Sequence, residues 1–270
     1  MEENVMEFID THSHIAWGVD DGIQSADEAR TALAMARQDG IQSILSTPHV
    51  IPGRTDQNIF SQISKRQKEL RDLAAEYGVE IFSGGEVMIN SYFMEALRKG
   101  WLPTINGTSY MLVEYNVRYD FHFQTFDFDP IFELSVAGFH PVIAHVERYF
   151  HKKLDMDLID EWASAGYVFQ INATSLLGFD TRQAYKNAWF LLENGYAHLV
   201  ATDTHRTEGS RIENLSETYE KVSRKIGKEA ADLLFYENPK AVLEGREVKD
   251  LPVKAGQGLL GRLQGFFNKP

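Results

Sequence analysis

A chain of 270 residues with 43 % hydrophobic residues is long enough to bury a sizeable core, which excludes a disordered segment or a small stapled scaffold. A formal net charge of −12 and a pI near 5.2 weigh against nucleic-acid binding, which needs a clustered basic face. The absence of cysteine excludes disulfides, thiolate nucleophiles and thiolate-bound zinc.

The start, Met1-Glu2-Glu3-Asn4, lacks the basic and apolar regions of a signal peptide. No apolar run approaches the roughly 20 residues needed to cross a bilayer, so the expectation is a cytoplasmic protein without a transmembrane segment. Apolar runs predict strands at 5–12, 41–48, 79–85, 109–115, 139–145, 167–172 and 197–203. Segments of helical period separate them. Gly40, Gly78, Gly100, Gly138, Gly166 and Gly195 each close such a segment and precede an apolar or aromatic residue, as glycine does just past a helix. Ser25 with Glu28 reads as a capping box, and Asp180 or Thr181 as a later cap. Helix, glycine, strand, repeated in this way, describes an α/β chain with a largely parallel sheet. Seven units suggest a closed or nearly closed barrel, a single domain over residues 1–245. The remainder, 246–270, is a tail. From Leu251 onward its only charges are Lys254, Arg262 and Lys269, beside Leu259, Leu260, Leu263 and Phe266. An amphipathic helix at 251–270 could dock on a membrane surface or a partner, although such tails more often pack on their own domain.

In parallel sheets functional side chains lie at the carboxyl ends of strands and in the loops that follow. Here His12 and His14 end the first expected strand, His49 the second, Glu86 the third, Glu114 the fourth, His145 the fifth, and Asp203 with His205 the seventh. Residues two apart on a strand point the same way, so His-x-His can offer two imidazoles to one ion. By contrast, His140 and His198 sit at strand beginnings and His122 and His151 in loops, and these read as structural. Together with one aspartate of Asp20-Asp21, the donors exceed what one mononuclear site can use. They fit two or three ions, with imidazole and carboxylate suiting Mn, Fe or Zn. Adjacent metals can hold a bridging hydroxide at neutral pH and stabilise entering and leaving oxygens, the logic of phosphoester hydrolysis. Arg148 follows His145 by three residues and Arg206 follows His205 directly, so each could grip a phosphate with its planar fork.

Taken together, Asp-Thr-His-Ser-His at 10–14, Asp-Asp-Gly at 20–22, Ser-Thr-Pro-His at 46–49, Val-Ile-Ala-His-Val-Glu-Arg-Tyr at 142–149 and Thr-Asp-Thr-His at 202–205 resemble the polymerase and histidinol phosphatase (PHP) superfamily. Within it the sequence is most similar to bacterial tyrosine-protein phosphatases of capsular and exopolysaccharide synthesis. The resemblance spans roughly residues 8 to 243. It implies a distorted seven-stranded (β/α) barrel, the PHP fold, with a trinuclear, usually manganese-dependent site. His12, His14, Glu86 and Asp203 would then hold one ion; His49, Glu86 and His145 a second; Asp21, Glu114 and His205 would complete the third. Arg148 corresponds to a phosphate-binding arginine. Relatives commonly show asparagine after the last histidine and an arginine several residues later, so the second clamp falls to Arg206 or Arg211 here. The aromatic segment Tyr115 to Phe128 follows no recognised pattern and could either stack on a substrate ring or pack between sheet and helix.

The resulting expectation is a metal-dependent protein-tyrosine phosphatase whose partner is a phosphotyrosine protein, a bacterial tyrosine kinase of the polysaccharide pathway. Its alternatives are a histidinol-phosphate or other small-molecule phosphomonoesterase, and a non-catalytic metal-binding scaffold.

Overall fold

The computed structural model describes residues 7–252. Its strands are β1 (Phe8–Ser13), β2 (Ile41–Ser46), β3 (His49–Val50), β4 (Glu80–Ser83), β5 (Glu86–Met88), β6 (Tyr110–Glu114), β7 (His140–Ile143), β8 (Val168–Asn172) and β9 (Leu199–Ala201). Every strand pairing among them is parallel. A three-stranded sheet runs β1-β2-β4, and a six-stranded sheet runs β3-β5-β6-β7-β8-β9.

The expected single ring of seven strands is thus replaced by nine shorter strands in two sheets. The extra two, β3 and β5, lie just past the ends of the second and third expected strands, at 48 and 85. Thr47-Pro48 separates β3 from β2, since proline has no N–H to give the ladder, and Gly84-Gly85 separates β5 from β4. Pairing resumes past both breaks: Gly84 N donates to Ser46 O at 3.0 Å, and Glu86 N to Pro48 O at 3.1 Å. The sheet also curls until its first and last strands meet. Asp203 N donates to His12 O and His14 N to Thr204 O, both at 2.9 Å, and Ser13 bridges Thr204 in parallel. Beneath this seam the buried Asp10 carboxylate accepts from the Thr202 N–H and hydroxyl. Burial pushes the Asp10 carboxyl up to about 6, against the hydrogen bonds of Thr202.

Helices cover the outside because their apolar residues fall on one stripe. In Ala26–Asp39 the buried set is Ala29, Ala32, Leu33 and Ala36, the spacing of one helix face. Ser25 caps that helix by accepting from Glu28 N, but Glu28 turns its own carboxylate to Gln24 N, one residue before the expected box partner. Thr181, not Asp180, caps Arg182–Glu193. Asp180 is left to pair with Arg148. All six glycines predicted at helix ends have positive φ, between 65° and 91°.

Most of the aromatic segment after β6 belongs to packing. Tyr115 stacks on Trp162 and meets Phe121 edge-on at 5.0 Å, while Tyr119 and Phe123 stay exposed. At the far end, Lys249 exchanges two 2.8 Å hydrogen bonds with the Asn238 side chain and Leu251 is buried, so this part of the tail packs on its own domain. The remainder of the amphipathic-helix expectation, 253–270, lies outside the described residues. Among the described residues no helix is long and apolar enough to cross a membrane.

Candidate metal centre

The curl of the sheet turns the carboxyl ends of the strands toward one another, and Glu86 at the start of β5 lies in the middle of what they carry. Its Oε2 is 3.3 Å from His12 Nε2, 3.2 Å from His14 Nε2 and 3.0 Å from His49 Nδ1, while its Oε1 is 2.8 Å from His145 Nε2. Glu114 is 3.2 Å from His49 Nδ1 and 3.7 Å from His145 Nε2. Asp21 reaches His49 Nε2 at 3.3 Å and His205 Nε2 at 3.7 Å. Asp203 lies 3.3 Å from His205 Nδ1 and 3.6 Å from both His12 and His14. All nine donors expected from the sequence are therefore brought into one cluster. One set of donor atoms within 4.8 Å of one another joins His49, Glu86 and Glu114, where the resemblance placed Glu114 with Asp21 and His205. Two further sets within the same distance are His12, His14, Glu86 and His14, His49, His205.

The donors fit divalent cations. His12 Nε2 and His14 Nε2 face each other at 3.1 Å, an arrangement that opposes two lone pairs unless a proton or a cation stands between them. His49 Nδ1 and Glu114 Oε1 are buried and, although 3.2 Å apart, are not aligned for a hydrogen bond, which is costly for polar atoms. Ligands about 2.1 Å from a shared tetrahedral ion lie about 3.4 Å apart, close to the separations above. The titration behaviour points the same way. Burial pulls His12 down, but the charges of Glu86 and Asp203 outweigh it and hold the imidazole at about 9. His49 is raised as well, against its burial, by Glu86, Asp21 and Glu114. Burial works to raise Glu86 and Asp203, yet His12 and its neighbours keep both carboxylates low. His205 is the exception: its burial, with the charge of His14, lowers it to about 4. Without a metal, protons on imidazole balance the carboxylates, and divalent ions would displace them.

Three side chains that sequence reasoning did not assign hold these donors in place. Asp20 Oδ2 lies 2.7 Å from His14 Nδ1 and accepts from His49 N at 2.9 Å. On β8, the strand without an expected donor, Gln170 Oε1 sits 3.0 Å from His12 Nδ1 and accepts from His145 N at 3.1 Å. Its amide donates to Asn172, which donates in turn to Asp203 Oδ2, both at 2.8 Å. The signal available was the i, i+2 spacing of two amides on a strand end. Backbone strain collects here too: His145 (φ 32°) and Asp203 (φ 56°) hold positive φ without being glycine, each at a cost of about 1–3 kcal/mol. Gly22 is required by close approach, because a Cβ there would stand 2.3 Å from His14 O.

The cluster forms the floor of an open cavity of about 830 Å³. Arg148 pairs with Asp180 at 3.1 Å and with Asp203 at 3.4 Å. Arg211 Nη2 lies 2.9 Å from Asp203 Oδ1 and 3.0 Å from His205 Nε2. Arg206 does not line the cavity; its guanidinium donates instead to the backbone carbonyls of Asp21, Gly22 and His205. Of the two arginines left open as the second clamp, Arg211 lines the cavity and Arg206 does not.

Known proteins show the same arrangement of chain. The tyrosine-protein phosphatase CpsB of Streptococcus pneumoniae is 31 % identical over 247 residues, covering 87 % of this chain and 98 % of that protein. CpsB of Streptococcus agalactiae is 29 % identical over 250 residues, 89 % of this chain and all of the relative. The Bacillus subtilis tyrosine-protein phosphatase YwqE is 29 % identical over 262 residues, 96 % of this chain and all of YwqE. A crystal structure from work on YwqE and S. pneumoniae CpsB, described there as unique metal-dependent tyrosine phosphatases, superposes with a TM-score of 0.78. It covers 91 % of this chain and 99 % of its own, at 24 % identity, and so supports the fold. The pattern that defines the capsular polysaccharide synthesis family CpsB/CapC matches residues 8–244, and the chain belongs to that family.

Proposed function

We propose that this protein is a metal-dependent phosphoric monoester hydrolase that removes phosphate from phosphotyrosine in proteins. The observation that carries the reading is the meeting of five imidazoles and four carboxylates in one cluster, seven of which line an open cavity together with Arg148 and Arg211. His12, His14, Asp21, His49, Glu86, Glu114, His145, Asp203 and His205 are the proposed ligands of three divalent ions, manganese before iron or zinc, with Glu86 shared between sites. When bound, such ions supply Lewis acidity toward phosphoryl oxygens and make water nucleophilic at neutral pH. Relatives named tyrosine-protein phosphatases over nearly their full length support the substrate class.

The chain's own residues account for the rest. Arg148 and Arg211 are each held against Asp203 but keep other guanidinium N–H groups for a phosphate, which they grip at two oxygens each. Val19, Ile51, Ile89 and Val117 give the cavity wall an apolar surface for the phenyl ring. A phenol leaves with a pKa near 10, so the reaction does not need the strong proton donor that an alkoxide would require. Asp20, Gln170 and Asn172 keep the imidazoles and Asp203 aimed inward while the substrate is bound. The two sheets are best taken as one distorted seven-stave barrel, a reading supported by the bridge from Ser13 of β1 to Thr204, just past β9. Residues 1–245 then act as one metallophosphatase domain, and a tyrosine kinase of the polysaccharide pathway is the proposed partner.

The test is metal analysis combined with initial rates on p-nitrophenyl phosphate, phosphotyrosine peptides and histidinol phosphate. We expect bound divalent ions and turnover of both aryl substrates. Turnover of histidinol phosphate alone would transfer the site to a small-molecule phosphomonoesterase, and tight metal binding without turnover of any of the three would leave a scaffold.

A further inference from the structure

The cavity holds two arginines that the chemistry above does not use. Arg54 lies just after β3 and Arg118 just after β6, and these strands flank β5 on either side in the sheet. Both line the same cavity as Arg148 and Arg211. The inner pair is tied to carboxylates, whereas both outer arginines are exposed. Among the described residues neither outer guanidinium has a hydrogen bond, ion pair or ring contact.

This is unexpected in a chain with 39 acidic and 27 basic residues, where a carboxylate is usually at hand. The reason lies in what their neighbours are doing. Asp56, two residues from Arg54, caps the helix Gln57–Ala74 by accepting from Asn58 N and Ile59 N at 2.9 Å each. Asp120, two residues from Arg118, is taken by the His122 ring at 2.7 Å and by His151 N at 2.8 Å. Two exposed forked cations are thus left open on the lining of the cavity whose floor carries the cluster.

We infer that Arg54 and Arg118 select phosphotyrosine sites whose flanking residues carry anionic groups, either carboxylates or a second phosphate. The inference rests on the phosphatase reading and specifies its substrate. Guanidinium recognises both groups through the same bidentate geometry. The chain's overall negative charge repels an acidic peptide at long range, so attraction comes from this local pair and weakens as salt screens it.

The test uses the full metal-loaded chain and four substrates: p-nitrophenyl phosphate, and one phosphotyrosine peptide with glutamine, glutamate or phosphoserine on both flanks. The readout is kcat/KM for each anionic peptide divided by that for the glutamine peptide, within the wild type and within Arg54→Gln/Arg118→Gln. Each ratio cancels any general loss. We expect a ratio of about fivefold in the wild type, carried mainly by KM and shrinking between low and high salt. It falls to within about twofold of unity in the double variant and is partly restored by Arg54→Lys/Arg118→Lys. A rise for both anionic peptides establishes charge selection; a rise for one alone assigns the source of the anion. A wild-type ratio of one, or a ratio that survives in the glutamine double variant, overturns the inference while the phosphatase reading stands. Failure on p-nitrophenyl phosphate and all three peptides removes both.

Discussion

The two ends of the same strands use histidine in opposite ways. At the amino ends, His140 opens β7 at the surface with its ring tilted against Tyr110 at 5.3 Å, and His198, just before β9, accepts a hydrogen bond from Phe169 N at 3.1 Å. At the carboxyl ends, five histidines stand in buried or half-buried contact with carboxylates and with one another. Residue type does not decide the role; company does. A histidine entering a strand meets backbone groups that the ladder has left over. One leaving a strand enters the space where the following loops diverge, and there ligand atoms from several strands converge.

The sharpest way to break this contrast is to remove the shared donor. Glu86→Gln keeps the volume and one acceptor but deletes the charge that Glu86 presents to His12, His14, His49 and His145. We expect loss of at least one bound ion and a fall in kcat/KM of about 10³-fold, roughly 4 kcal/mol of transition-state stabilisation. The circular dichroism spectrum should not change. Full metal content in this variant, measured by elemental analysis, would mean that Glu86 is not the donor the ions share.

Much of that site was legible because strand-end position is a geometric rule. Each donor but Asp21 follows a recognisable apolar run, and a parallel sheet brings run ends together even when they are two hundred positions apart in sequence. The same logic missed Gln170 and Asn172, because amides do not stand out as ligands when read one residue at a time. It also missed the positive φ of His145 and Asp203, which arises from the packing of neighbouring strands and leaves no mark on residue identity. Nine strands stand where seven were expected because parallel pairing resumes at His49 and Glu86, past Thr47-Pro48 and Gly84-Gly85, where the apolar runs had already ended. Arg211 could not be separated from Arg206 by sequence, since the difference lies in which backbone carbonyls a guanidinium happens to meet.

Gln170→Met tests the positioning layer. It keeps size and burial but removes the acceptor near His12 Nδ1 and on His145 N. Metal affinity should fall about 10- to 100-fold, with activity recovering at high metal concentration. A loss that excess metal does not restore would move Gln170 from orienting ligands to the reaction itself.

The acidity of the medium sharpens the contrast further. With His12 held at about 9 in the absence of a cation, its imidazole carries a proton at pH 7 that metal loading must expel. Falling pH therefore favours the protonated, metal-free form, and rising pH favours loading. For each proton released, apparent affinity should climb about tenfold per pH unit between roughly pH 7 and 9. Calorimetry in buffers of different ionisation enthalpy measures that proton count directly, and a count of zero would refute the exchange of protons for metal.

The smallest effect is expected at the other end of the strands. His198 is buried between β8 and β9, where its Nδ1 satisfies Phe169 N and its carbonyl accepts from Asn238 at 3.1 Å. His198→Leu keeps the bulk and leaves the Phe169 N–H without its side-chain acceptor, a loss of about 1–2 kcal/mol. A lower urea midpoint at constant slope should report it, with metal content and kcat/KM as in the wild type. The same substitution at His49 should add loss of metal and activity, because it removes the imidazole that stands against Glu86, Glu114 and Asp21. If instead both variants lost metal equally, position along the strand would not separate structural from ligating histidines, and the division drawn at β8 and β9 would have to be replaced by one based on burial alone.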